Sequence, residues 1–374
     1  MIAEKEEIVL DTIEAAIQDI KNGKVVIVVD DEDRENEGDF ITAASNVTPE
    51  VINFMSKHGR GLICAALTED RCAQLELDMM VRQNTDPRNT AFTVSVDLLG
   101  HGCTTGISAH DRAKTVQALI DPAIQPADLA RPGHIFPLKA KKGGVLRRTG
   151  HTEATIDLAR LAGLPPAGVL VEIMNDDGTM ARLPELVQIA KQFDIRLISI
   201  KDLIAYRLRT ELLVEKIQES KIQTAFGEFS LQVFRDVIEN KEFLALVRGK
   251  WNAEEAVPVR VHSGNVLSDL FATPIEGQVN QLHNAMRVLD HENKGVIVYM
   301  NPLQRNSSIL DEVRALSGEA DVKKPMDARD YGLGAQILRS LGVHKMILLS
   351  NHPVKRTGLT AYGLEIVDCL PLKG

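Results

Sequence analysis

The densest chemistry in this 374-residue chain is the run Asp30-Asp31-Glu32-Asp33-Arg34-Glu35-Asn36-Glu37-Gly38-Asp39. Seven of these residues are acids. Carboxylates crowded this closely repel one another unless a cation or a shared proton relieves them. Hard oxygen donors beside an arginine suit Mg²⁺ and an anionic, hydroxylated substrate. The alternative is a solvated acidic loop, where charge runs commonly end. A second constellation is Arg147-Arg148-Thr149-Gly150-His151-Thr152-Glu153. Basic side chains, hydroxyls and a glycine at a loop-to-helix junction make an anion pocket, and His151 offers a metal ligand there. Its bland alternative is a surface histidine beside a helix capped by Thr152. Glu172 lies within the apolar run Val169–Met174, where a carboxylate pairs, binds a cation or gains a raised pKa unless it sits at an edge and reaches water. His134 occupies a loop stiffened by Pro132 and Gly133, a setting more often structural than reactive. Cys64 lies mid-strand and reads as a core thiol.

These residues need elements to position them. Val25–Val29 is a continuous β-branched run, the pattern of a strand covered on both faces, and it delivers the acidic loop at its C-terminal end, where α/β proteins place ligands. Apolar spacing at Ile13, Ala16, Ile17 and Ile20 predicts a preceding helix, and Thr48-Pro49 predicts the start of another. Between 151 and 206 helix, strand, helix and strand alternate, which predicts parallel pairing through crossovers. Residues 1–206 read as one α/β domain, 207–221 as a charged helical connector and 222–374 as a second domain. In the latter, strands are expected at 244–247, 257–261, 296–300 and 345–349, with a helix over 331–341 and a loose polar loop over 303–324.

Composition narrows the function classes. Hydrophobic residues make up 44% and charged residues 25%, ordinary for a globular chain. Aromatics are 4%, and 43 basic residues face 52 acidic ones for a net charge of −9. A nucleic-acid partner is therefore not expected. Four cysteines in no metal-like spacing, no signal-peptide pattern and no long apolar run point to a reduced, cytoplasmic protein without membrane contact.

Six motifs in order over about residues 8 to 206, DDEDRENEGD, KHGRGLICAALT, TTGISAHDRAKT, RPGHIFPL, RRTGHTEATIDLARLAG and EIMNDDGTMAR, together resemble 3,4-dihydroxy-2-butanone-4-phosphate synthase. The resemblance implies a mixed sheet flanked by helices (α/β, or α+β), and a lyase of riboflavin biosynthesis. Its reaction is the conversion of ribulose 5-phosphate to formate and 3,4-dihydroxy-2-butanone 4-phosphate, with Mg²⁺ or Mn²⁺ and in a homodimer. Carried across by position, Glu35 and His151 hold the metal, and Arg34, Glu35 and Asp39 contact the sugar. Arg148, Thr149, Gly150, His151 and Thr152 hold substrate, with Arg148 and Thr152 on its phosphate. His134, Glu172 and Cys64 take catalytic positions, and Thr105 lines the pocket.

Residues 222–374 resemble GTP cyclohydrolase II through GEF at 227–229, ALVRGKW, VPVRVHS, GVIVYM, DARDYGLGAQILRSLGV and AYGLEIVDCLPL. Where that family binds zinc through three cysteines, this chain carries Asn265, Glu276 and Gln278, and two amides with one carboxylate do not make a zinc site. The family's glycine-rich phosphate loop is replaced by Leu303–Ser308, with only Arg305 kept. Asp327, Arg329, Ser350 and Lys355 persist as vestiges, while His262, His283 and His291 read as surface histidines. The expectation is a synthase with a zinc-free, inactive second domain. The rivals are a bifunctional enzyme and a non-catalytic sugar-phosphate-binding scaffold.

Overall fold

The computed structural model describes residues 9–31, 33–271, 280–300, 328–351 and 359–372. The chain divides into two compact units, Met1–Tyr206 and Arg207–Gly374.

In the first unit, Thr12 caps α1 (Ile13–Lys21) and Thr48 caps α2 (Pro49–His58), each side chain accepting a first-turn N–H. The other elements are β1 (Val26–Val29), β2 (Gly38–Ala43), β3 (Cys64–Leu67), α3 (Glu69–Gln74), β4 (Val96–Leu98), α4 (Ala109–Ile120), β5 (Leu129–Lys139), α5 (His151–Leu161), β6 (Gly168–Glu172), α6 (Leu183–Phe193), β7 (Leu197–Ser199) and α7 (Ile200–Thr210). The seven strands form one sheet in the order β4-β5-β3-β6-β2-β1-β7. Every residue of β1 and β2 is buried because apolar cores lie on both faces. Ile27, Phe40 and Val171 face a core with Ile52, Val116 and Leu186 from α2, α4 and α6. Val28, Ile41 and Leu170 face a second core with Ile20, Leu158 and Leu203 from α1, α5 and α7.

The parallel pairing expected over 151–206 holds only at its end. β7 runs parallel to β1, but β6 is antiparallel to both β2 and β3. The reason is topological: α6 carries the chain across the sheet to the far edge beyond β1, so β6 and β7 are never neighbours.

The second unit holds β8 (Val214–Thr224), β9 (Gly227–Asp236), β10 (Glu242–Arg248), β11 (Ala256–Ser263), α8 (Val266–Phe271), α9 (Gln281–Glu292), β12 (Gly295–Met300), α10 (Ala328–Ser340), β13 (Lys345–Leu349) and β14 (Glu365–Leu370). Its sheet order is β14-β13-β11-β12-β10-β9-β8, parallel at one end and antiparallel at the other. The charged stretch expected to be a helical connector is different: α7 stops at Thr210, and 214–224 pairs with β9 as an edge strand. Its polar residues face water on a solvated hairpin, so cross-strand pairing decides its conformation rather than local propensity. The loop expected over 303–324 lies outside the described residues. Among the described residues, no helix is long and apolar enough to cross a membrane.

Candidate active site

β1 delivers Asp30 at its C-terminal end. The Asp30 carboxylate is fully buried and organises the acidic loop, accepting the N–H groups of Glu35 (3.1 Å) and Glu37 (2.9 Å). It also takes one N–H of Arg34 at 2.8 Å, and the same guanidinium nitrogen reaches Glu35 Oε2 at 2.7 Å. Asn36 turns the chain with φ +55°, a conformation asparagine tolerates better than most residues, so the loop re-enters the sheet at Gly38. Arg182 holds the loop from outside by donating to the carbonyls of Glu35 and Asn36.

Across this loop stands His151, the first residue of α5 and 5% exposed. Its Nε2 lies 3.1 Å from the Val28 carbonyl, which accepts only from an N–H, so Nε2 donates there. That leaves Nδ1 pointing at Glu35 Oε2 (3.8 Å) and Asp39 Oδ1 (3.9 Å). Donor atoms of Asp30, Glu35 and His151 all lie within 4.8 Å of one another.

Burial and like charge act together on Asp39. Burial, with Glu172, Glu35 and Glu37 close by, raises its carboxyl to about 7, although His151 opposes the rise. Burial alone would depress His151, but Asp39, Glu35 and Asp30 push it up to about 9. Burial also works against ionisation of Glu35, yet His151 and Arg34 hold it below the usual carboxylate range. Asp39 Oδ1 is buried with no hydrogen-bond partner. An orphaned, buried carboxylate oxygen beside further carboxylates and an imidazole whose proton a cation can replace is the environment that a hard divalent cation relieves, so these residues fit Mg²⁺ or Mn²⁺.

The basic side of the site begins one residue along. The N-cap of α5 is Gly150 rather than Thr152, and the helix starts at His151. Its first N–H groups are outside the intrahelical ladder, where an anion is favoured. A Cβ on residue 150 would stand 2.3 Å from the Arg148 guanidinium, so glycine leaves Arg148 room to pair with Glu153 at 2.7 Å where a side chain would push it aside. Glu153 is 1% exposed and also accepts the Lys141 N–H. A shallow pocket here is lined by Asn89, Ala91, Lys139, Lys141, Arg148, Thr152 and Glu153. Thr149 is exposed on its rim.

Glu172 closes β6 opposite Asp39 in the β2 register, half-buried as expected, with its carboxylate accepting the Leu62 N–H at 2.9 Å. Gly61 makes room for it: a Cβ there would meet Glu172 Oε2 at 2.4 Å. Cys64, next to Leu170 in the register, is 3% exposed. Burial raises its thiol well above the usual value, and Glu172 and Asp39 raise it further. It lines the site as a thiol, not a thiolate nucleophile.

His134 and Thr105 are not brought to this cluster. His134 belongs to β5 rather than to a loop, and β5 is three strands from β2. Three strand spacings put the two positions about 14 Å apart. His134 packs on Asp97, with Thr105 exposed on the adjoining loop. The sequence reading named the acidic loop but missed Asp30, Asp97 and Glu153 individually. The available signals were the position of Asp30 immediately after a buried strand and that of Asp97 as a lone acid in an apolar strand.

In the second unit, Asn265 precedes α8 and its side chain accepts the Ser268 N–H at 2.9 Å. Asp269 is taken up by His262 Nε2 (2.9 Å), the Tyr299 hydroxyl (3.0 Å) and the Asn265 N–H (3.0 Å). The expectation of a surface histidine therefore fails at His262, which is 5% exposed because it pairs with Asp269. His283 is half-buried and His291 exposed. Ser350 follows β13 and is half-buried, and Arg329 lies on α10. Glu276, Gln278, Arg305, Asp327 and Lys355 lie outside the described residues.

Comparison with known proteins bears on both units. Residues 14–206 match the family model of 3,4-dihydroxy-2-butanone 4-phosphate synthase, and 215–371 match that of GTP cyclohydrolase II. The riboflavin biosynthesis protein RibBA of Parabacteroides distasonis is 55% identical over 98% of this chain and 93% of its own length. That of Cytophaga hutchinsonii is 56% identical over the same shares. Among solved structures, RibBX from A. baumannii, described as a two-domain 3,4-dihydroxy-2-butanone 4-phosphate synthase, aligns with a TM-score of 0.77 at 40% identity, covering 96% of this chain and 99% of that one. A 3,4-dihydroxy-2-butanone 4-phosphate synthase in complex with two magnesium ions aligns with a TM-score of 0.52 at 47% identity, over 54% of this chain and 98% of that one. The chain belongs to the 3,4-dihydroxy-2-butanone 4-phosphate synthase family, in the fused form whose second domain is of the GTP cyclohydrolase II type.

Proposed function

We propose that this chain converts ribulose 5-phosphate to formate and 3,4-dihydroxy-2-butanone 4-phosphate, using the cluster at the end of β1, and that its second domain does not hydrolyse GTP. The observation that carries the first part is the convergence of Glu35, Asp39 and His151, with an unpartnered buried oxygen on Asp39. Glu35 and His151 would hold a divalent ion, Mg²⁺ or Mn²⁺, with the unpartnered oxygen of Asp39 beside them and Asp30 bracing the loop; the magnesium complex of a relative supports this. When bound, the ion supplies Lewis acidity that stabilises negative charge on a ketose oxygen.

The chain's own groups do the rest. Arg148, Thr152 and the start of α5 receive the phosphate, with Thr149 and Gly150 shaping the approach. Arg34 and Asp39 contact the sugar hydroxyls. A carboxyl with a pKa near 7, as at Asp39, is matched to taking and returning protons at neutral pH. Glu172, anchored on the Leu62 N–H, stands beside it as a second proton acceptor, and Cys64 forms an apolar wall.

His134 and Thr105 lie too far along the sheet to share one ketose with Asp39 in a single chain. The homodimer implied by the family resemblance gives them a role, by presenting a second copy's His134 to the acidic pocket. Leu62, Leu99 and Ile107, exposed large apolar residues flanking His134 and Asp97, support such a contact. The test is incubation with ribulose 5-phosphate and Mg²⁺ or EDTA. Formate in the first case and none in the second is expected, and no formate in either overturns the reading.

For the second domain, the use of Asn265 as a helix cap supports loss of zinc, as does RibBX, a two-domain relative described only as a synthase. The bifunctional reading has the match over 215–371 in its favour. Stoichiometric zinc and formate release from GTP would establish it.

A further inference from the structure

Asp97 carries no role in the reading above, yet the fold goes to some length to aim it. β4 and β5 pair irregularly, with Val96 opposite Ile135 and Asp97 opposite Ala130. Such a bulge re-aims a side chain. Gly133 lets the strands close, since a Cβ there would lie 2.0 Å from the Val96 carbonyl carbon. The result is a two-point contact: Asp97 Oδ1 accepts the His134 backbone N–H at 2.9 Å and Oδ2 takes Nδ1 at 2.6 Å. Gly106, at φ +89°, closes the third side, with no room for a Cβ between Asp97 and His134. Asp111 pins that loop by accepting the Thr104 N–H, the Thr104 hydroxyl and the Gly106 N–H. Only 13% of the Asp97 side chain is exposed, against 43% of His134.

A carboxylate accepts only from an N–H, so it places the proton of a neutral imidazole on Nδ1 and leaves the lone pair on Nε2, the outward atom. We propose that Asp97 is a positioning residue that holds His134 in the Nδ1–H form, so that Nε2 serves as the proton-transfer atom of the synthase reaction. This rests on the role given to His134 in the proposed function.

The test uses the full chain, Asp97→Asn, His134→Gln and the double variant. Nitrogen-15 NMR of wild type should show His134 protonated at Nδ1 with a free Nε2 lone pair, and Asp97→Asn should lose that preference. The kcat on ribulose 5-phosphate should fall about 10²-fold in Asp97→Asn, with KM and Mn²⁺ affinity within about 3-fold. In the His134→Gln background the same change should have no further effect. A wild-type His134 protonated at Nε2, or an Asp97→Asn loss that persists undiminished without His134, overturns the proposal. The tautomer measurement needs no turnover and decides the contact even if Asp97→Asn misfolds. Absence of formate from wild type is a separate failure, that of the reaction itself.

Discussion

Two loops in this chain follow a strand at the ligand-binding end of a sheet, and they have met opposite fates. After β1, Glu35, Asp39 and His151 converge with capacity left over: Asp39 Oδ1 has no hydrogen-bond partner, and His151 Nδ1 faces oxygens at 3.8 and 3.9 Å. After β11, the carboxylate is spent on its neighbours, although His262 Nδ1 is buried without a hydrogen-bond partner. Asn265 caps α8, and Asp269 is saturated by His262, Tyr299 and the Asn265 N–H. A carboxylate surrounded by donors is structural. One surrounded by other acceptors is waiting for a cation or a substrate proton. The difference separates a carboxylate short of donors from one supplied with them more sharply than the count of charged residues does.

The largest effect should come from Glu35→Gln. Removing one charged donor while keeping its shape should lower formate production on the order of 10³-fold, with circular dichroism unchanged. Retained activity would place the chemistry elsewhere. Gly61→Ala comes next: the new methyl meets Glu172 Oε2 at 2.4 Å and its carbonyl at 2.7 Å. Overpacking of this kind costs roughly 1–3 kcal/mol, so both a lower melting temperature and weaker turnover are expected.

A pH effect should be visible without metal. The folded value of His151, about 9, lies above its ordinary 6.5, so the stability it contributes is complete below 6.5 and lost as pH rises through 9. Asp39, about 7 against 3.8, slopes the same way over its own window. Denaturation of the metal-free protein should therefore become easier between pH 6.5 and 9. Saturating Mg²⁺ should flatten the slope, because the ion takes the place of the proton. A metal-free profile that is flat or rising there would mean that the carboxylates do not press on His151. The smallest effect is in the second unit: Asn265→Ala should lower its stability by about 1 kcal/mol through loss of a cap, with formate from ribulose 5-phosphate unaffected.

Much of this was legible in the sequence where local pattern and burial agree. The β-branched run before Asp30 reads as a two-sided strand and is one, α1 is marked by its apolar spacing and α2 by its Thr48-Pro49 start. Glu35 and His151, more than 100 residues apart, were joined only through the family resemblance, and the fold does bring them together. What stayed hidden depends on partners. β5 contains Pro132, Gly133 and Pro137, which read as a loop until β3 and β4 pair with it. β8 is charged and solvent-facing, and becomes a strand only because β9 lies beside it. The antiparallel setting of β6 and the separation of His134 from Asp39 both come from strand order, which no local spacing encodes.

The most direct test of the account is a Mn²⁺ titration, followed by electron paramagnetic resonance, of wild type, Glu35→Gln and His151→Gln. The account predicts saturable binding in the wild type that is weakened at least about 10-fold in each variant. Wild-type affinity in either variant would contradict it, because one ion could not then depend on both side chains.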